Sequence, residues 1–131
     1  MIKRATVLIF LMSASWLNAA PLSGDAFEDY TTGKTLYFSE GGEAYGAERY
    51  LPGRRVEWSF LDGQCKTGEW YADGTAICFI YEDRPEPQCW HFETTQGGLR
   101  ATFLGEDQST ELYEAHQADE PMYCVGPDVG V

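Results

Sequence analysis

From Gly33 onward, turn-forming residues interrupt the chain about every 8–12 residues, a rhythm that suits short strands and leaves no room for long helices. Pro52-Gly53, Asp62-Gly63, Asp73-Gly74 and Gly97-Gly98 are turn pairs, and the proline-containing stretch 82–87 reads as a longer turn. Between them the pattern predicts strands over 35–38, 48–51, 55–60, 65–71, 76–81, 88–94, 99–104 and 110–114. The third alternates clearly: Val56, Trp58 and Phe60 fall on one face, Arg55, Glu57 and Ser59 on the other. The glycine-rich segment 41–46 reads as a mobile loop. About eight strands joined by tight turns predict a mainly β chain, an antiparallel meander closed into a small barrel, with a sandwich as the alternative. One short helix is expected over 22–30. Ser23 would cap its start and Gly33 its end, and Leu22, Ala26, Phe27 and Tyr30 share a side.

The first 19 residues stand apart from this pattern. A basic start (Lys3, Arg4), an apolar run from Val7 to Met12 and its extension, and the small residues Ala19-Ala20 form the layout of a secretory signal peptide. Pro21 disfavours cleavage after Ala20, so the cut is expected after Ala19, leaving a single β domain over 20–131 with an irregular acidic tail from Ala118. The apolar run is shorter than the ~20 residues of a spanning helix, and no second run could cross a bilayer. A periplasmic or secreted protein is therefore expected. Removing Lys3 and Arg4 takes the 9 basic residues to 7 against 21 acidic ones, so the formal charge moves from −12 to −14. Such a surface repels phosphate backbones and anionic headgroups, which disfavours nucleic acid and membrane surfaces as partners.

Cys65, Cys78, Cys89 and Cys124 all lie after the expected cut, and an even count in a small exported domain reads as a disulfide framework. Four cysteines allow three pairings. A turn centred on Asp83-Arg84 favours one of them. It sets Cys78 opposite Cys89, Ile77 opposite Trp90 and Ala76 opposite His91, and puts Ile77, Phe79, Trp90 and Phe92 on one face. A one-residue slip would lose both the cysteine pair and the apolar face. Cys65–Cys124 then follows by elimination.

The expected core is Trp58, Phe60, Trp70, Phe79, Trp90, Phe92 and Phe103. No catalytic motif stands out. His91 and His116 lack a two-ligand spacing, Met122 near His116 is read as incidental, and no cofactor or metal is expected. The Asp-Gly turns lack the alternating ligands of calcium loops. Glu106, Asp107 and Glu111 could form a carboxylate pair, but among 21 acidic residues this is read as chance proximity.

Several short elements come in a telling order. They are Leu22-Ser23-Gly24 opening a helix, Gly33-Lys34-Thr35 entering a strand, Gly68-Glu69-Trp70, Asp73-Gly74, Cys78 and Cys89-Trp90. Over 22–103 the chain resembles a group of small exported alphaproteobacterial proteins classed as a domain of unknown function. The resemblance implies a bacterial periplasmic setting and carries no activity or site residues; Cys65 and Cys124 fall outside its pattern. Three functions follow in order of preference. The first is a non-enzymatic binding or accessory protein, taking a small apolar ligand in its interior or a basic protein on its acidic face. The second is a structural or envelope-stress protein with a filled interior. The third is a small hydrolase working through two close carboxylates.

Overall fold

The computed structural model describes residues 20–106 and 110–125. The expected signal peptide lies outside the described residues. Among the described residues one helix, α1 (Gly24–Thr31), precedes eight strands: β1 (Thr35–Glu40), β2 (Glu43–Leu51), β3 (Arg55–Ser59), β4 (Cys65–Asp73), β5 (Ala76–Tyr81), β6 (Arg84–Thr95), β7 (Gly98–Phe103) and β8 (Glu111–Ala118). Each strand pairs antiparallel with the next, and β8 returns to β1, so the meander closes into a barrel. Closure leaves no unpaired sheet edge.

Alternation sorts the strand residues into two faces. Leu36 and Phe38, Tyr50, Val56, Trp70, Ile77 and Phe79, Phe92, Leu99 and Ala101, and Leu112 point inward and form the core. Arg49, Glu57, Thr67, Glu69, Glu93 and Arg100 alternate with these and lie outside. This polarity is the reverse of a membrane-spanning barrel, whose outer band is apolar. Among the described residues no helix is long and apolar enough to cross a membrane.

Helix α1 closes one end. Ser23 accepts a hydrogen bond from the Ala26 N–H, the expected cap, and Gly33 leaves the helix at φ +86°. Phe27 enters the barrel fully buried and meets Trp70 and Phe92 at 5.0 and 4.5 Å between ring centres. The β2–β3 turn reaches over the helix from the side. Arg54 binds Glu28 at 2.6 Å and lies 4.4 Å over the Trp70 ring. At the helix's last turn, the Tyr30 hydroxyl donates to Glu114 at 2.8 Å. Burial, with Glu114 beside it, pushes the Tyr30 phenol up to about 12. Glu114 also accepts from the Leu99 N–H at 3.2 Å, tying the helix to β7 and β8.

Both disulfides join as expected. Cys78–Cys89 bridges directly opposed residues of β5 and β6, and Cys65–Cys124 holds the tail to β4. Ile77 pairs with Trp90, as the register argument requires. The turn itself differs: Tyr81 pairs with Arg84, so Glu82 and Asp83 make the turn. Pro85-Glu86-Pro87 then bulge opposite the single residue Ile80, which absorbs two prolines that could not donate to a ladder. The segment expected as a turn is thus the start of β6. The expected mobile loop at 41–46 is also strand, except for a tight Gly41-Gly42 turn with φ of +56° and +83°. Such paired positive angles suit a two-residue hairpin. Phe60 is corrected as well: it lies just past β3 and is 50% exposed.

Candidate functional site

The end opposite α1 is open. There the β1–β2, β3–β4 and β5–β6 connections form a rim, and a cavity descends between them. Its volume is about 70 Å³. Eight strands give a barrel just wide enough to be filled by side chains or to hold one small ligand. At the closed end Phe27 fills it. At the open end the inward residues include Phe79, Phe92, Trp58 and Trp90, with Phe60, Lys66, Asp83 and Arg84 at the rim.

Glu48 sits in this wall. It faces inward between Gly46 and Tyr50 on β2, opposite Trp58 of β3, and only 2% of it is exposed. Its carboxyl accepts a hydrogen bond from the Tyr81 hydroxyl at 2.8 Å. Burial drives its pKa well above the ordinary carboxylate range, and the Tyr81 bond only partly opposes this. The same burial, with Glu48 beside them, raises the phenols of Tyr50 and Tyr81. Among the described residues, the ion pairs engage Arg54, Lys66 and Arg100, and none reaches Glu48. A buried carboxyl held by one phenol is an expensive feature for a core.

Two inward glycines make room for the flanking rings. A Cβ on Gly46 would collide with the Trp58 indole, and one on Gly68 would come within 2.8 Å of the Tyr81 ring and 2.5 Å of the Ile80 carbonyl oxygen. Tyr45, Trp58 and Phe60 then form an aromatic wall, with centres 5.3–5.8 Å apart. At the rim, Lys66 binds Asp83 at 2.6 Å, which holds the Asp83 carboxyl below its ordinary range.

The other candidates stay outside the cavity. His91 bonds Thr75 on the outer side, and His116 packs on Tyr37. Met122 is a buried residue of the tail itself. Among the described residues no three His, Cys, Asp or Glu side chains group to hold a metal. Glu111 accepts from Tyr113 on exposed β8, Glu106 is exposed in the β7–β8 connection, and Asp107 lies outside the described residues. Neither Glu106 nor Glu111 lines the cavity.

Fold and site together define a closed eight-stranded up-and-down barrel with a helix-plugged base and an aromatic cup containing one buried acid. Comparison with protein-family models, with curated proteins and with solved structures finds no match to this chain. The two disulfides fit an oxidising compartment.

Proposed function

We propose that this is an extracytoplasmic binding protein that holds one small ligand in the open end of its barrel. The observation that carries this reading is the aromatic-lined cavity descending to Glu48. A small-molecule site is typically a concave, mostly apolar space with a few inward polar groups. An envelope protein with no ligand is expected to fill its interior, and this one is filled only at the helix end. A two-carboxylate hydrolase needs a second acid near the first. The groups that bear on Glu48 are tyrosines, and Asp83 is engaged by Lys66. The resemblance to exported alphaproteobacterial proteins and the stapling favour the periplasm as the compartment.

Ala101 lies on the cavity wall, 1% exposed, so a larger side chain there would extend into the cup. Native mass spectrometry of protein recovered from its own periplasm should show a retained small molecule at one per chain. Ala101→Leu should lose it while keeping the circular-dichroism spectrum. Recovery of only the bare chain, with no saturable change in Trp58 or Trp90 fluorescence across a small-molecule panel, would reject the reading.

A further inference from the structure

Resting on that reading of the cup, we infer that its ligand carries a small organic cation of the ammonium class, which Glu48 meets as counter-ion within a cage of aromatic rings. Three observations converge on this. The first is Glu48 itself, a buried acid on the cavity wall that no cation of the described residues reaches. A ligand with an anionic head would gain no charge partner from this acid in either protonation state. A purely apolar ligand would leave the carboxyl with nothing to offset its desolvation. The second is the lining: Tyr45, Tyr50, Trp58, Phe79 and Tyr81 share the cavity wall with Glu48. Aromatic faces are electron-rich and attract cations, most strongly where water is excluded. The third is size: a cavity of about 70 Å³ admits a compact head group and not a polymer or a folded segment.

The charges elsewhere are compatible with this ligand. Lys66 is paired with Asp83, and Arg84 also acts on Asp83, so both rim cations are partly compensated. The chain as a whole carries −12, which draws cations toward it.

Cation binding also predicts a proton balance. Tyr45 and Tyr50 from β2, Tyr81 from β5 and the rim charges Lys66, Asp83 and Arg84 face the cup, and Glu114 acts on Tyr50 from β8. In the empty cup burial favours the protonated Glu48 carboxyl. A quaternary ammonium has no proton to give, so the Glu48 O–H bond breaks, the proton passes to solvent, and the carboxylate stays against the cation.

The test uses the processed, oxidised chain and two matched probe pairs: choline against 3,3-dimethylbutan-1-ol, where carbon replaces nitrogen, and phenethylamine against 2-phenylethanol. Calorimetry near neutral pH should show at least one cation binding about tenfold or more tighter than its neutral partner, a preference Glu48→Gln abolishes. Repeating the choline titration in buffers of different ionisation enthalpy should show proton release from the wild-type protein, a readout that needs no variant. Equal binding of cation and neutral partner, or a preference unchanged in Glu48→Gln, overturns the cation assignment and leaves the cup as a binding site. No binding by any probe also overturns it, and the cup is then judged by the retained-ligand and Ala101→Leu experiments.

Discussion

Glu48 couples the stability of this barrel to pH. Its folded pKa is raised, so the folded state holds its proton more tightly than the unfolded chain does. The stability it contributes is full below the unfolded value of about 4.3 and is lost as pH rises toward the folded pKa, at about 1.4 kcal/mol per pH unit. Other carboxylates titrate in the same range, so the informative quantity is the difference between wild type and Glu48→Gln. The glutamine keeps an acceptor for Tyr81 and carries no charge to bury. Urea denaturation above neutral pH should find Glu48→Gln more stable by about 1–3 kcal/mol, with the advantage vanishing toward pH 4. A parallel pair of pH profiles would show that Glu48 stays solvated. Gly68→Ala should act in the opposite sense, costing about 1–3 kcal/mol, because the Ile80 carbonyl is backbone and cannot yield freely. The same denaturation measurement reads it. Glu48 was legible in principle. The Pro52-Gly53 turn pairs Tyr50 with Val56 and hence Glu48 with Trp58, on the inward face. Reading 41–46 as a loop began the strand at Glu48 itself and hid the alternation through Gly46, Glu48 and Tyr50.

At the scale of elements, α1 works as a plug. An isolated helix of eight residues is too short to persist in water. Its order comes from Phe27 within the barrel, Arg54 across Glu28 and Trp70, and Tyr30 on Glu114. Phe27→Ala should therefore cost about 3–5 kcal/mol by chemical denaturation, as expected for emptying a buried aromatic site. Ser23→Ala, which removes one cap bond at the exposed start, should cost about 1 kcal/mol. Similar losses from the two variants would mean that the helix lies on the barrel without filling it. The helix and its cap were readable from local signals, and most strand positions from the turns. Phe27 as a centre of the core was not, because the amphipathic pattern gives a helix an apolar side without saying what it enters. The prolines of β6 misled for a related reason: local chemistry marks Pro85 and Pro87 as turn formers, while the bulge opposite Ile80 depends on the partner strand. Phe60 continued the alternation of β3 on paper, but the strand ends at Ser59 and leaves the ring at the rim.

For the molecule as a whole, the two disulfides hold different things. Cys78–Cys89 joins neighbours already paired across a hairpin, with a sequence separation of 11. Cys65–Cys124 spans a separation of 59 and fixes a tail that forms no strand over the described residues 119–125. Constraining the unfolded chain stabilises more for the longer loop, so the entropic contributions are about 3 and about 4 kcal/mol. Native contacts add to the short bridge, because Cys78 is completely buried. They add little to the long one, because Tyr123 and Val125 beside it are 78% and 53% exposed. Replacing Cys65 and Cys124 together by serine should therefore lower stability by about 4 kcal/mol while leaving the barrel's circular dichroism and the Glu48 cup intact. Urea titration combined with tryptophan fluorescence separates these effects. If the spectrum of the native state also changes, the tail is a wall of the barrel's open end and not a strap across β4.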